Sequence, residues 1–255
     1  RGAILQRLFP ATLSVGRKTH RRGKFWHQSF DALAEGLDDS RPIVEQDVDL
    51  LRAVKLFKYK KAPPYLVRPS LKQRAKIKSW LSQKSILANK KLVVIHAPSR
   101  WKFKELPIAT WANVIDTLKQ KKFEVVLCGS KEDLLTNQAI YALCKMKPII
   151  TNNFSLEDTA ALYSLAHLVL TIDSMSTHLA SATQTPVISI FGPSNEKNWG
   201  PWGGKHRVIA LTTENSPTFA CRPCGQDGCE GSKISQCLIQ MEPDLIMNEV
   251  LKILR

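Results

Sequence analysis

The chain has 255 residues, of which 44% are hydrophobic, and a formal net charge of +15 at pH 7. This length and apolar content are enough to bury a core, which excludes an intrinsically disordered chain. Charge, Pro or Gly interrupts every apolar stretch within about ten residues, well short of the roughly twenty that a membrane-spanning helix needs. The sequence therefore predicts a folded, globular protein without a transmembrane span.

Positive charge is concentrated in the first third of the chain. Residues 1–90 contain 20 Lys and Arg against 7 Asp and Glu, whereas residues 91–255 contain 17 against 15. A basic surface raises the local concentration of anionic partners such as nucleic acid, acidic lipid headgroups or phosphorylated sugars. Charge alone does not distinguish among these partners, and a solvated surface without a partner is the alternative.

The residues before 91 show helical patches but no series of alternating strands and helices. The patches are Ile4–Leu8, Phe30–Leu37 and Val44–Leu56. An extended linker is predicted over Pro63–Pro69 and a basic amphipathic helix over Ser70–Leu81. Because the sequence begins at Arg1, without Met or an export signal, we expect a truncated chain in which residues 1–90 are an incomplete domain.

From Leu92 onward, short apolar runs alternate with longer amphipathic segments. The runs predict buried strands at residues 92–98, 123–129, 148–150, 167–173 and 186–192. The amphipathic segments predict helices at residues 108–121, 131–144, 155–165 and 174–183, and from 243 onward. Ser155 and Asp158 predict a capping box at the start of the third of these helices. The alternation predicts an α/β fold with a parallel, doubly wound sheet, which binds ligands beyond the carboxyl ends of its strands.

The most informative segment is residues 171–202, where a strand ends, a helix of small residues begins and a loop rich in Gly, Pro and Trp follows. Unpaired amides at the helix start, together with the helix dipole, suit a diphosphate. Ser174 can add a hydroxyl, and His178 in the first turn can stabilise charge on a departing nucleotide. Asp173 would repel a diphosphate, so we expect it to organise the turn. Taken alone, these residues are more often a plain N-cap and a core histidine.

The chain has six cysteines and no export signal, which indicates a reducing compartment rather than a disulfide scaffold. Four of them cluster in one segment, namely Cys221, Cys224, Cys229 and Cys237. A C-x2-C pair followed by two more thiols can present four ligands to zinc, although these spacings differ from those of common zinc folds. The alternative is a Gly-rich loop with reduced thiols.

The segment 171–202 resembles the signature of the bacterial lipopolysaccharide heptosyltransferase family, glycosyltransferase family 9. That signature is Asp-Ser/Thr-x-x-x-His-x-x-x-Ala, then Pro, then Phe/Tyr-Gly-x-x, then Trp-x-Pro. The chain matches it at Asp173, Ser174, His178, Ala182, Pro186, Phe191, Gly192, Trp199 and Pro201. The segment HAPSRWKFKELP is similar to the family's loop after the first donor-domain strand, and AILQRLFPATLSVG looks like a closing segment of the N-terminal domain. RWKFK and the Cys-rich tail are most similar to the heptosyltransferase III branch.

The resemblance implies the GT-B architecture, in which two Rossmann-like domains face each other across a cleft and the C-terminal one binds the donor. Residues 91–255 correspond to that donor domain, and residues 1–90 to a remnant of the acceptor domain with the linker. Lys104 resembles the family lysine that neutralises the donor diphosphate, with Arg100 and Lys102 as alternatives.

Further residues are carried over from the family by their motif positions. Ser99 resembles a hydroxyl near the phosphate, and Glu132, or the adjacent Asp133, resembles the carboxylate that binds the ribose. The rest of the predicted donor-binding set is Asp173, Ser174, Met175 and His178.

The resemblance implies inverting transfer of a heptose from ADP-heptose to the inner core of lipopolysaccharide, with no metal or other cofactor required. The family's base is an Asp in a Gly-Asp motif that this sequence does not contain, so the catalytic residue is unassigned. A catalytically inactive nucleotide-binding remnant is the alternative. The expected location is cytoplasmic, with peripheral contact at the anionic face of the inner membrane. No nucleic-acid partner is expected, because no RNA-binding or DNA-binding motif surrounds the basic stretch LKQRAKIKSW.

Overall fold

The computed structural model describes residues 2–86, 89–212 and 216–254 and divides into two compact units. The smaller unit consists of the chain through Pro63 together with Lys197–Trp199, and the larger consists of Pro64–Glu196 and the chain from Gly200 onward. The division therefore lies before the boundary expected between residues 90 and 91. The reason is that the helix of residues 71–83 packs on the sheet of the larger unit.

The smaller unit has a strand–helix series that the sequence did not reveal. Its elements are α1 (Gly2–Leu8), β1 (Val15–Arg17), α2 (Lys24–His27), β2 (Ala32–Ala34) and α3 (Ile43–Ala53). β1 and β2 pair in parallel. The helices predicted near α1 and α3 are confirmed, but the helix predicted over 30–37 is wrong because β2 occupies its centre. A strand of three residues is too short to show a periodicity of two.

The larger unit is a parallel sheet with helices on both faces, as predicted. The order of its strands is β5-β4-β3-β6-β7-β8. Its strands are β3 (Leu92–His96), β4 (Glu124–Cys128), β5 (Ile149–Thr151), β6 (Leu168–Ile172), β7 (Val187–Phe191) and β8 (His206–Ala210). Its main helices are α4 (Leu71–Gln83), α5 (Ile108–Gln120), α6 (Leu134–Leu143), α7 (Leu156–Leu165), α8 (Met175–Ala182) and α11 (Pro243–Leu254). The short helices are α9 (Glu196–Trp199), which crosses the division between the units, and α10 (Gln236–Ile239).

Two apolar cores cover the two faces of this sheet. Successive side chains of a strand point to opposite faces, so Val93 and Ile95 of β3 belong to one core and Leu92 and Val94 to the other. Helices α5 and α11 cover the first face, and α4 and α7 the second. Burial on both faces explains why the central strands read as continuous apolar runs.

Capping residues fix the starts of α4 and α7. Ser70 and Gln73 form a capping box at α4, which the sequence analysis missed. At α7, Ser155 Oγ accepts the Asp158 amide as predicted, at 3.2 Å. The Asp158 carboxylate pairs instead with Lys76 of α4, at 2.6 Å, and so links the two helices of one face. None of the described helices combines the length and apolar character needed to cross a membrane.

Candidate functional site

A cavity of about 350 Å³ opens at the carboxyl ends of β3, β4 and β6. Open α/β sheets bind ligands at this position. The loops that follow two adjacent strands run to opposite faces of the sheet there and leave a crevice between them. The cavity is lined by His96, Pro98, Ser99, Arg100, Trp101, Lys104, Asp133, Asp173, Ser174, Met175, Ser176 and His178. It thus brings together the predicted donor-binding residues with one exception, Glu132.

The start of α8 forms one wall of the cavity. Ser174 is the N-cap, with extended backbone, and its Oγ accepts the Ser176 amide at 3.3 Å. Amides of the first helical turn have no partner within the helix, and with the dipole they favour an anion. The Ser176 hydroxyl is almost fully buried and accepts a hydrogen bond from Tyr163 at 2.9 Å. Among the two serines, Ser174 is therefore the one available to a ligand.

A tightly bonded turn after β3 forms the opposite wall. The Ser99 amide donates to Glu105 Oε1 at 2.9 Å, and the Lys104 amide donates to the carbonyl of Trp101 at 2.9 Å. Lys102 pairs with Glu105 at 3.0 Å and its side chain is 67% exposed, whereas that of Lys104 is 22% exposed. Of the three basic residues predicted as alternatives for the diphosphate contact, Arg100 and Lys104 line the cavity and Lys102 does not.

Lys104 and Asp173 join the two walls. Lys104 Nζ lies 2.6 Å from Asp173 Oδ2 in a partly buried ion pair. The Asp173 amide donates to Ile190 of β7 at 2.9 Å, which fixes the end of β6. The carboxylate that the sequence left without a clear partner therefore holds the cavity's lysine in place. Charge-assisted hydrogen bonds of this kind are short and directional.

Two histidines of the cavity have lowered pKa values. Burial lowers the pKa of His178, against the opposing effect of the Asp173 carboxylate. Burial also lowers the pKa of His96, against Asp133. His96 Nδ1 is buried and has no hydrogen-bond partner within the described part of the chain. Both rings are therefore neutral near pH 7 and can each offer one donor and one acceptor to a ligand.

Asp133, and not Glu132, is the carboxylate that lines the cavity. Its Oδ2 accepts the amide and the hydroxyl of Ser130, both at 2.8 Å, which fixes the side chain at the end of β4. Glu132 is exposed. Of the two carboxylates predicted as alternatives for ribose binding, only Asp133 therefore lies at the cavity.

The Cys-rich segment contains free thiols, of which Cys221 and Cys229 are exposed and Cys237 is buried. Burial raises the pKa of Cys237 to about 11, so this thiol is protonated at neutral pH. Within residues 2–86, 89–212 and 216–254, no three His, Cys, Asp or Glu side chains are grouped so that they could hold a metal ion.

The same segment supports two loops of the larger unit. The Arg222 side chain is only 2% exposed and pairs with Glu196 at 3.1 Å, while its Nε donates to the carbonyl of Gly192. Ser235 Oγ donates to the carbonyl of Phe103 at 2.6 Å, within the turn that carries Lys104. The segment is thus part of the framework around the cavity and not an appended tail.

Comparison with known proteins assigns the family. The family model described as glycosyltransferase family 9 (heptosyltransferase) matches residues 1–224. The chain belongs to this family. Over 206 residues it is 31% identical to lipopolysaccharide heptosyltransferase 3 of Escherichia coli strain K12, which covers 78% of this chain and 58% of that protein. The chain therefore spans a little over half the length of the curated relatives it matches.

Solved structures show the same fold. The family 9 glycosyltransferase from Veillonella parvula superposes with a TM-score of 0.78 at 18% identity, covering 99% of this chain and 70% of that one. The ADP-heptose lipopolysaccharide heptosyltransferase II of Escherichia coli superposes with a TM-score of 0.73 at 20% identity, covering 99% and 72%. At these identities the likeness establishes the fold class, α/β of the GT-B type.

Proposed function

We propose that the cavity binds the diphosphate of ADP-heptose and that this chain supplies the donor site of a lipopolysaccharide heptosyltransferase. The observation that carries the proposal is the convergence of Lys104, the start of α8 and His178 on one cavity. A cation, a helix N-terminus and a histidine that can take up a proton are three different ways to bind a diphosphate. The choice of adenine and heptose rests on the names of the relatives.

The same three groups serve the departure of ADP in an inverting transfer. Negative charge grows on the diphosphate as its bond to the sugar breaks, and donors already in place stabilise that charge without rearranging. Lys104 is held ready by Asp173, and His178 can take up a proton as the charge develops nearby. Asp133, with one carboxylate oxygen bound to Ser130, has the other oxygen for ribose hydroxyls.

The acceptor is proposed to be a heptose of the lipopolysaccharide inner core, by the likeness to heptosyltransferase 3. The basic helix α4 supports contact with the anionic inner face of the membrane where such an acceptor is made. Lys72 and Lys78 are exposed on this helix, whereas the exposed Lys76 is paired with Asp158. Each basic side chain near an anionic surface contributes about 1 kcal/mol of attraction. Salt-sensitive sedimentation with phosphatidylglycerol vesicles, but not with phosphatidylcholine vesicles, is the expected result.

The donor site is tested by calorimetric titration of the chain with ADP, AMP and UDP. Preferential binding of ADP over AMP would support a diphosphate site, and preference over UDP would support an adenine nucleotide. His178→Gln keeps a hydrogen-bonding side chain but cannot become a cation, so weaker ADP binding is expected. If a folded chain binds none of the three nucleotides, the proposal is wrong.

A further inference from the structure

His96 lines the cavity, but none of the contacts proposed for the donor uses it. It is the last residue of β3, where a buried strand reaches the ligand edge of the sheet. Its Nδ1 is buried and makes no hydrogen bond to any residue that the structure describes. Buried polar atoms without a partner are rare in native proteins, so the orientation of this ring calls for a functional explanation.

The burial of Nδ1 decides which ring nitrogen of His96 carries the proton. Burial lowers the pKa of His96, so the ring is neutral near pH 7 and has a single N–H group. An N–H group buried without an acceptor is rarer in proteins than an acceptor left without a donor. The proton therefore belongs on Nε2, which faces the cavity because Nδ1 is buried. The ring thus presents a hydrogen-bond donor to a ligand.

The register of the sheet places His96 beside the start of α8. His96 is opposite Thr171 of β6, and paired residues of adjacent strands direct their side chains to the same face. Thr171 Oγ1 lies 3.3 Å from Oγ of Ser174, the N-cap of α8. On its other side, the ring interacts electrostatically with the carboxylate of Asp133. His96 therefore lies between the helix start assigned to the diphosphate and the carboxylate assigned to the ribose.

We propose that His96 is a further donor-binding residue and that its Nε2–H group donates a hydrogen bond to a phosphate oxygen of the nucleotide. A bond from a neutral donor to an anionic oxygen is about twice as strong as one between neutral groups. His96 differs in this from His178, which can take up a proton, because a second proton on His96 would be buried without an acceptor. This inference rests on the proposed donor site, because it needs a bound nucleoside diphosphate.

The test measures the affinities of ADP and 2′,3′-dideoxy-ADP for the unaltered chain, His96→Phe and His96→Gln by calorimetry. His96→Phe keeps a planar ring without a donor and should weaken both ligands about tenfold, because both carry the same diphosphate. His96→Gln places an amide N–H group near the position of Nε2 and should recover most of the loss. His206→Phe, at an exposed histidine outside the cavity lining, is the matched control and should change neither affinity.

A second measurement reads the tautomer of His96 in the unaltered chain, so it does not depend on how well a variant folds. Nuclear magnetic resonance of isotope-labelled protein distinguishes a ring nitrogen that carries a proton from one that does not. The signals of His96 are those that disappear in His96→Gln. At neutral pH the proton should be on Nε2 alone, both before and after ADP is added. A proton on Nδ1 in either state would overturn the inference.

The affinities separate the failure of this inference from the failure of the proposed function. A loss in His96→Phe that is confined to ADP would place the ring on a ribose hydroxyl, and unchanged affinities would remove the ring from the site. An equal loss in His96→Phe and His96→Gln would mean that the ring supports the cavity without donating from Nε2. Each of these results would overturn the inference while the donor site stands. An unaltered chain that binds neither nucleotide would defeat the proposed function itself, and the inference with it.

Discussion

The ammonium of Lys104 and the carboxylate of Asp173 lie 2.6 Å apart although 69 residues separate them in the chain. Lys104 follows β3 and Asp173 follows β6, and these two strands are neighbours in the sheet. The pair therefore spans the crevice where the ligand is proposed to bind. It also means that the Lys104 ammonium is held in a defined place before a ligand binds.

Replacement of Lys104 by Met should weaken ADP binding. Hydrogen bonds to charged groups contribute about 1.5–3 kcal/mol, so the expected loss is roughly tenfold to a hundredfold. Lys102→Met removes the same charge from the same turn, at a side chain that is exposed and paired with Glu105. Calorimetry should show near-unchanged affinity for this control. Comparable losses in both variants would point to general electrostatic attraction and away from a specific contact.

Replacement of Asp173 by Asn should lower the free energy of unfolding. It leaves the partly buried ammonium of Lys104 without its counter-charge, which we expect to cost about 1–3 kcal/mol. The double variant Lys104→Met, Asp173→Asn should be more stable than the sum of the single losses predicts, because neither charge is then unpaired. Urea denaturation of the four proteins measures this coupling. Strict additivity would mean that the ion pair makes no net contribution.

Replacement of Asp133 and replacement of Glu132 should have different effects on ribose recognition. Asp133→Asn should weaken ADP binding by about 1–2 kcal/mol while leaving the affinity for 2′,3′-dideoxy-ADP nearly unchanged, since only ADP offers hydroxyls to the carboxylate. Glu132→Gln should alter neither affinity. Competition titrations with the two nucleotides give the comparison. A larger effect at Glu132 would return the role to the residue that the sequence motif favoured.

The two cavity histidines should make stability depend on pH. Burial lowers the pKa of His96 and His178 below the ordinary value of 6.5. Between the folded and the ordinary value, the unfolded chain binds more protons than the folded one, so the free energy of unfolding falls as pH drops. The loss should begin as pH falls through about 6.5 and should end below the folded-state pKa values.

Urea unfolding at several pH values, with His96→Gln and the exposed His206→Gln, measures this dependence. The slope below pH 6.5 should be shallower in His96→Gln and unchanged in His206→Gln. A slope that His96→Gln leaves intact would contradict a His96 ring that stays neutral in the folded chain. Addition of ADP should also make the free energy of unfolding depend less steeply on pH below 6.5, because the diphosphate favours protonation of His178.

The sequence predicts those parts of the fold whose side chains are apolar and mostly buried. The five strands of the larger unit that were predicted are apolar runs, and each lies within one or two residues of its expected ends. β8 was missed because His206 and Arg207 at its start are exposed, so no continuous run exists there. β2 was missed because three residues are too few to show the alternation of a strand, and the residues around them have helical periodicity.

The sequence indicates parts of the site but not their pairing. Asp173, Ser174 and His178 follow from a strand end and a helix start, which are local signals. The bond between Lys104 and Asp173 depends on strand order, which one sequence does not specify. His96 carried a signal that was overlooked, since a polar residue that ends a buried strand lies at the ligand edge of the sheet. The support given by Arg222 and Ser235 is a tertiary contact without a local signal.

The parallel pairing of β3 with β6, with Val94 opposite Val169, joins two portions of the sheet that are distant in sequence. Pairings between distant segments form more slowly than local ones because a long loop must close first. Both portions contribute residues to the cavity, so the cavity forms only after β3 and β6 have paired. A nucleotide bound to residues of both portions would hold them together. Its binding should therefore slow the separation of β3 from β6 as well as raise the stability of the sheet.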